Sequence, residues 1–314
     1  MKLTDIKPEK IDTEHDLDYL ISKLKSKKKI KSLYHYTNIY GVEGILKRQE
    51  FWLSDANFLN DKNELWYTYN LCEEVISEIC GKSKGNFLDR FNYAIASEDL
   101  KKPVYVMSLT TNSDSNLLWS NYTNNDGYNI ILDPKNLFNE LKLDNYNLLK
   151  FPVIYDKKVQ KKIIVELMSK FIGVTMFFQN KLDKLDHDLS DLSDLRDLSY
   201  EWGFQDGVLA LLVKAFSIFF KDSCFSQEEE YRIALVPKNW KSQCLDYSCR
   251  VSNGTFIPYL TVPIHDKNAI KGLTIGPKNN MDIAKDGILK FLEVNGYDHL
   301  DENSVNKSKI PYRY

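Results

Sequence analysis

One histidine in this chain of 314 residues lies where a strand is predicted to run directly into a helix. The stretch 32–38 contains Leu33, His35 and two tyrosines, which suit a half-buried strand. Thr37 or Asn38 then caps the helix that follows. A histidine at such a junction is suited to hold a ligand hydroxyl at the mouth of a cleft. The alternative is a core histidine whose ring is satisfied by a backbone carbonyl.

Two carboxylates and a guanidinium recur at period two much later in the chain. Glu228, Glu230 and Arg232 are predicted to share one face of a strand over residues 227–235, because side chains alternate along a strand. A carboxylate at a cleft edge stabilises the positive charge that develops on a sugar ring when a glycosidic bond breaks. Its neighbour orients or deprotonates the incoming nucleophile. The alternative is a surface ladder of charges in which Arg232 is only a partner.

Further polar and aromatic candidates lie between these two stretches. Trp119 and Tyr122 are close to one turn apart in a short helix predicted over residues 113–122. Asn60, Asp61 and Glu64 either cap a helix or line the rim of a pocket, and both interpretations stay open.

Composition restricts the possible partners. Hydrophobic residues make up 43% of the chain, which is enough for a sizeable core. The number of lysines plus arginines (42) nearly equals the number of aspartates plus glutamates (44). Electrostatic binding of nucleic acid by the molecule as a whole is therefore not expected. A lysine run at 23–31 is interpreted as a solvated helix end, with local phosphate contact as the alternative. The five cysteines are scattered without a C-x-x-C pair, so no metal site is predicted.

The same features predict a cytoplasmic protein with no membrane partner. The first thirty residues are charged and lack the apolar core of a signal peptide. The longest apolar run, residues 207–220, is interrupted by Lys214 and is shorter than the roughly 20 residues that span a bilayer. No oligomeric state is predicted.

The order of the predicted elements indicates an α+β fold with a mixed, mostly antiparallel sheet. Residues 1–31 are predicted to form a lysine-rich helical leader, and residues 32–314 a single domain with a helical insert at about 157–221. Asn253-Gly254 is a strong signal for a hairpin turn between two strands. The acidic stretch 182–198 is interpreted as an amphipathic helix with one face in water, the alternative being an acidic arm that docks a partner.

Taken together, the motifs resemble a bacterial family known as domain-of-unknown-function family 2971. The resemblance extends from residue 32 to the end of the chain and departs from the family mainly in the leader and in the length of the acidic insert. The matching stretches are 33–37, 44–46, 51–54, 59–61 with Glu64, 107–109, 118–122, 126–127, 225–232, 275–277 and 308–313.

A weaker resemblance is to the ADP-ribosyltransferase fold, including DNA-modifying bacterial toxins that begin with a similar strand and helix. It rests on the histidine strand, the aromatic motif and an E-x-E pair formed by Glu228 and Glu230. The resemblance implies NAD as the substrate and a sheet core of that type.

The same resemblance implies a role for each candidate residue. His35 would orient a ribose, and Tyr36 or Thr37 would line the same wall. Trp119 or Tyr122 would stack on nicotinamide. Glu230 would stabilise the oxocarbenium-like state while Glu228 steers the acceptor, and Arg232 would tune both carboxylates or bind pyrophosphate.

Three functions follow as expectations. The first is an NAD-dependent ADP-ribosyltransferase or NAD-cleaving effector, such as a toxin or phage-defence protein, whose acceptor is nucleic acid or protein. The second is a nuclease or another nucleotide-processing enzyme. The third is a module that binds a ligand or a partner without turnover.

Overall fold

The computed structural model describes residues 1–12, 15–25, 29–59, 64–96, 103–123, 125–140, 144–185, 192–237, 247–252, 254–279 and 283–311. Over these residues the α-helices are α1 (His15–Ser22), α2 (Ile39–Arg48), α3 (Glu64–Cys80), α4 (Lys84–Ile95), α5 (Asn116–Thr123), α6 (Pro134–Glu140), α7 (Lys157–Leu185), α8 (Leu192–Phe219) and α9 (Ala284–Val294). The strands are β1 (Leu33–Thr37), β2 (Glu50–Asp55), β3 (Tyr105–Thr110), β4 (Tyr128–Leu132), β5 (Tyr146–Pro152), β6 (Glu230–Pro237), β7 (Ser248–Ser252), β8 (Thr255–Pro263), β9 (Ile270–Ile275) and β10 (Val305–Lys307).

Contacts divide the chain into two compact units. Unit 1 is built from Met1–Lys25, Asn60–Lys102 and Ile154–Ser223, and contains α1, α3, α4, α7 and α8. Unit 2 is built from Ser26–Leu59, Pro103–Val153 and Cys224–Tyr314, and contains all ten of the described strands. The single domain expected over residues 32–314 stays a prediction.

In unit 1 the leader packs against the two long helices. The side-chain amide of Gln205 accepts from the backbone N–H of Ile11 at 2.8 Å and donates to its carbonyl at 3.5 Å, as a neighbouring strand would. Lys170 pairs with Glu9 and Asp16. Within the predicted lysine run, Lys23 pairs with Glu166 at 3.1 Å, whereas Lys27 and Lys28 lie outside the described residues.

Helices α7 and α8 lie where the sequence predicts the helical insert, and the acidic stretch 182–198 is helical at both ends. Helix α7 ends at Leu185 and α8 begins at Leu192, and residues 186–191 lie outside the described part of the chain. A continuous acidic helix over 182–198 therefore stays a prediction. The apolar run 207–220, which is typical of a buried helix, forms the carboxyl-terminal part of α8 up to Phe219.

By length and composition alone, Lys157–Lys184 and Leu195–Phe219 are apolar enough to cross a membrane. The most apolar windows of the two helices are 56% and 61% buried within the protein, and the core helices of a packed unit give the same pattern. The expected lack of a membrane partner stays a prediction.

Unit 2 contains a mixed, mostly antiparallel sheet, as the sequence predicted. The strand order is β10-β9-β4-β1-β3-β2-β8-β7, with β6 paired to β3 and β5 paired to β6. Only β9 and β10 are parallel among the paired strands of the described residues. One face of the sheet forms an apolar core with side chains of α2 and α9, among them Leu46 and Leu292. The turn signal Asp126-Gly127 predicts a strand over residues 128–132, and β4 has these bounds.

The β7–β8 hairpin is also confirmed. Ser252 pairs with Thr255, which leaves two residues for the turn, and Gly254 has φ = 77°. Positive φ is inexpensive for glycine, so the turn residue fits the backbone that the hairpin needs.

Gly127 is the position where the start of β4 approaches the end of β1 most closely. A Cβ atom there would lie 2.5 Å from the carbonyl oxygen of Thr37 and 2.7 Å from Cβ of Thr123. The Gly127 carbonyl also accepts from the Gly276 N–H at 2.8 Å, so the backbone cannot shift freely to make room. Any side chain at this position must displace main chain.

We expect Gly127→Ala to lower the free energy of unfolding by about 1–3 kcal/mol through overpacking. The matched control is Gly287→Ala in helix α9, where an added Cβ meets nothing within 4 Å. That change should raise stability by about 0.5–1 kcal/mol because alanine is the better helix former. Urea unfolding of both variants measures the difference, and equal stabilities would contradict the close approach.

Candidate functional site

The candidate site is centred on β3, which is paired with three strands. Strand β6 pairs with β3 along its whole length, from Tyr105 to Thr110. A strand has only two edges, so β1 and β2 share the other one: β2 pairs at Tyr105 and Val106, and β1 pairs at Thr110. Between Val106 and Thr110 the two strands diverge over about 14 Å of β3. We call this opening the split.

One face of the sheet at the split is polar. Directly paired residues of antiparallel strands point to the same face, so the register defines the rows. Tyr34, Thr110 and Glu230 form one row. Ser108 and Arg232 form the next row, and Ser108 is exposed.

His35 lies at the split. Its Nδ1 is 3.4 Å from the carbonyl oxygen of Ser108 on β3. A carbonyl only accepts hydrogen bonds, so Nδ1 carries the hydrogen and Nε2 keeps a lone pair for a ligand hydroxyl. The contact to a backbone carbonyl is what the core-histidine alternative predicted, yet the side chain is only half-buried. By strand alternation His35 leaves β1 on the face opposite to Tyr34 and Glu230.

Burial is the main cause that lowers the pKa of His35 below its ordinary value, and the nearby Arg250 guanidinium lowers it further. The hydrogen bond to Ser108 opposes both effects. The imidazole is therefore neutral at pH 7, which suits a hydrogen-bonding role better than a role as a fixed charge.

The glutamate stretch departs from its prediction. The strand expected over 227–235 begins only at Glu230, because residues 223–228 form a 3₁₀ helix and Glu229 has φ = 43°. Glu228 therefore precedes the strand, and the expectation that Glu228 and Glu230 share one strand face is wrong. The carbonyl of Glu228 accepts the Thr110 hydroxyl at 2.7 Å.

Glu230 and Arg232 do share a face and form a two-point ion pair. Arg232 Nε lies 2.7 Å from Glu230 Oε1, and Nη2 lies 2.9 Å from Oε2. The two residues are 7% and 2% exposed, respectively. Bidentate geometry and burial make this a strong, rigid contact that fixes the carboxylate. The ion pair also occupies the guanidinium nitrogens of Arg232 that the sequence analysis assigned to pyrophosphate binding.

Tyr36 joins β1 to the loop that follows β3. Its hydroxyl donates to the carbonyl of Asn112 at 3.1 Å and accepts from the N–H of Ser115 at 2.9 Å. Burial strongly raises the pKa of Tyr36, so the phenol stays protonated. Its ring meets Trp119 edge to face, with centroids 4.7 Å apart. Tyr36 therefore positions this wall rather than offering an open face.

The two aromatic candidates for stacking differ in exposure. Trp119 is fully buried, and its Nε1 donates to Asp114 at 2.7 Å. Tyr122 is 43% exposed and is the one that lies at the surface. Thr37 is half-buried at the end of β1, and Asn38 rather than Thr37 caps α2, by accepting from the Gly41 N–H at 2.9 Å.

Sequence reasoning missed three residues of this region. Asp114 accepts from Trp119, from the Ser308 hydroxyl at 2.6 Å and from the Lys309 N–H at 2.8 Å. Glu229 accepts from Asn112 Nδ2 at 2.9 Å. Arg250 donates to the Ser54 hydroxyl at 3.2 Å. Of these, only Glu229 lies within a motif that the sequence singled out.

Asn60 and Asp61 lie outside the described residues, as does the side chain of Glu64, so their two interpretations stay open. Within the part of the chain that the structure describes, no group of three or more His, Cys, Asp or Glu residues is placed to hold a metal ion.

Comparison with known proteins supports part of the family resemblance. The model of a family described as "Protein of unknown function (DUF2971)" matches residues 118–233, which is less than half of the chain. The match includes Trp119, Tyr122, Glu228, Glu230 and Arg232, and leaves the histidine strand outside. Searches of curated proteins and of solved structures found no significant match.

We expect Tyr36→Phe to destabilise the protein by about 1–3 kcal/mol, because it leaves the Ser115 N–H and the Asn112 carbonyl without their buried partner. Tyr34→Phe is the matched control on the same strand and face. Among the described residues the Tyr34 hydroxyl has no hydrogen-bond partner. The substitution should therefore change the free energy of unfolding by no more than about 0.5 kcal/mol. Chemical denaturation distinguishes the two, and an equal loss would contradict the role of the Tyr36 hydroxyl.

We expect the lowered pKa of His35 to make stability depend on pH. Below its ordinary pKa of 6.5 the unfolded chain takes up a proton that the folded protein resists, so stability falls as pH falls. His35→Gln should flatten the melting temperature between pH 7 and pH 5, whereas His265→Gln, at an exposed histidine, should not. Parallel pH profiles for all three proteins would refute this assignment.

Proposed function

We propose that unit 2 binds NAD or a related nucleotide at the split and cleaves its N-glycosidic bond. The observation that carries the proposal is the strand register at β3. It brings His35 and the Glu230–Arg232 pair, nearly two hundred residues apart in sequence, to the two sides of one strand. At normal strand spacing β1 and β6 are only about 10 Å apart. Because His35 and Glu230 leave their strands on opposite faces, the proposal requires the riboside to enter the split between β1 and β2.

The chemistry assigns one task to each group. The neutral His35 accepts a hydrogen bond from a ribose hydroxyl. As the bond between the ribose carbon and the ring nitrogen breaks, nicotinamide leaves neutral with the electron pair. The positive charge left on the ribose is stabilised by the Glu230 carboxylate, which Arg232 holds in a fixed position before the reaction begins.

The nucleophile that attacks the ribose carbon in the second step determines the product. An oxygen or nitrogen nucleophile of the acceptor bonds to the ribose carbon and loses its proton, and Glu228 is the candidate base. Water as the nucleophile gives hydrolysis, and a group on nucleic acid or protein gives ADP-ribosylation. An ADP-ribosyltransferase-type fold, a role as a cytoplasmic toxin or phage-defence effector, and stacking of Tyr122 on nicotinamide belong to the same proposal.

A second candidate is a nucleotide-binding module without turnover. The observation in its favour is the depth of the Glu230–Arg232 pair, in which the guanidinium already compensates the carboxylate. Such a module would bind the same ligands and release no nicotinamide.

The test is incubation of the full chain with NAD, with nicotinamide followed by chromatography. We expect release by the wild type, and a loss of at least about 100-fold in Glu230→Gln and in His35→Ala. Circular dichroism and melting curves must show that both variants are folded. Glu229→Gln is the matched control in the same stretch and should keep most of the activity.

The outcomes separate the candidates. Release that persists in Glu230→Gln would overturn the catalytic assignment. An absence of release with and without DNA, RNA or cell extract, combined with NAD-dependent thermal stabilisation, would establish the binding module instead.

A further inference from the structure

Arg250 lies on the polar face beside the split. Ser248, two residues before it on β7, pairs with Tyr259 of β8, and Tyr259 pairs with Ser54 of β2. Ser54 in turn pairs with Val106, the residue of β3 where the split begins. Arg250 itself pairs with Ile257, one row further from the split, and its Nη2 reaches back to the Ser54 hydroxyl at 3.2 Å.

Strands β2 and β8, which lie between β7 and β3 in the sheet, are fixed to each other by side-chain contacts. Trp52 and Tyr259 stack with ring centroids 4.3 Å apart and an interplanar angle of 24°, which fastens β2 to β8. Trp52 Nε1 also donates to Glu50 at 2.8 Å. Arg250 is half-buried, and burial lowers the pKa of its guanidinium.

The guanidinium lacks a compensating negative charge among the residues that the structure describes. Its hydrogen bond there is to a neutral hydroxyl, and none of the described carboxylates pairs with it. A half-buried cation without a counter-ion is costly, since it loses hydration and gains little in return. The titratable groups that interact electrostatically with the Arg250 guanidinium are Tyr259 and His35.

Arg232 does not supply this function. Both of its donors to Glu230 are within 3 Å, and the residue is 2% exposed. A phosphate would have to displace a buried bidentate carboxylate in order to bind there. Arg250 presents the same planar fork at a less buried position.

From these contacts we propose that Arg250 and the hydroxyl of Ser54 form a binding site for a phosphate group beside the split. The ligand class is a nucleoside diphosphate or another pyrophosphate ester. The guanidinium binds the phosphate oxygens through two N–H groups, and the Ser54 hydroxyl donates to the same anion. The link to NAD rests on the proposed function, whereas the phosphate site does not.

The first measurement is the binding of pyrophosphate and ADP to the full chain by calorimetry, with adenosine as the ligand that lacks phosphate. We expect pyrophosphate and ADP to bind and adenosine not to bind. Arg250→Gln should weaken ADP binding about 10- to 100-fold, as expected for a lost charge-assisted contact. Arg196→Gln removes the same charge from an exposed position of α8 and should leave binding unchanged.

Proton NMR of His35, assigned with the His35→Gln variant, provides an independent measurement. Bound pyrophosphate should raise the pKa of His35, because it offsets the guanidinium charge. Arg250→Gln should raise that pKa without ligand and abolish the response to pyrophosphate. Arg250→Lys should keep the charge effect on His35 but bind ADP more weakly than wild type, since the ammonium lacks the fork.

Equal binding of ADP by the wild type and Arg250→Gln, or no binding by either, would overturn the phosphate site. Nicotinamide release distinguishes this failure from that of the proposed function. Release with an unchanged KM in Arg250→Gln refutes the phosphate site and leaves the glycosidic chemistry intact. Arg250-dependent ADP binding without nicotinamide release refutes the glycosidic chemistry and leaves the phosphate site intact.

Discussion

A strand has two hydrogen-bonding edges, and in unit 2 three strands pair with β3. Strand β6 occupies one edge completely, so β1 and β2 must share the other and separate between Val106 and Thr110. The separation removes the ladder partner of the Ser108 carbonyl, and a buried backbone group left unpaired is costly. His35 reaches this carbonyl at 3.4 Å. The position of the histidine is thus a consequence of how the sheet divides.

The loop that follows β3 fixes the start of β6 through its contacts with Glu229. The chain leaves β3 through a loop whose Thr111 N–H donates to the Glu229 carbonyl at 3.0 Å, and whose Asn112 side chain binds the Glu229 carboxylate. Glu229 has positive φ, which costs about 1 kcal/mol for a residue with a Cβ atom, and these contacts maintain it. The kink starts β6 at Glu230 and fixes the row that faces Thr110.

Local patterns in the sequence were sufficient for much of the sheet. The Asp126-Gly127 turn signal predicted the start of β4, and Asn253-Gly254 predicted the β7–β8 turn, because both signals are contained in a few neighbouring residues. The start of β6 could not be predicted this way, since three consecutive glutamates fit a strand as well as a 3₁₀ turn. Only the contact of Glu229 with the distant loop decides between them. Arg250 was missed because an arginine on an exposed strand has no local signal, and its surroundings come from β2, β3 and β8.

The electrostatics of the split follow from two arginines in different situations. Arg232 is compensated by Glu230 at two points, so the pair presents little net charge to its surroundings. Arg250 donates to the neutral hydroxyl of Ser54 and lowers the pKa of His35, so it contributes a net positive potential near the same opening. A neutral imidazole near an uncompensated guanidinium favours a ligand that offers a hydroxyl to His35 and an anion to Arg250. Under the proposed function, a phosphorylated ribose supplies both groups, and the carboxylate of Glu230 acts on the positive charge that develops on the ribose.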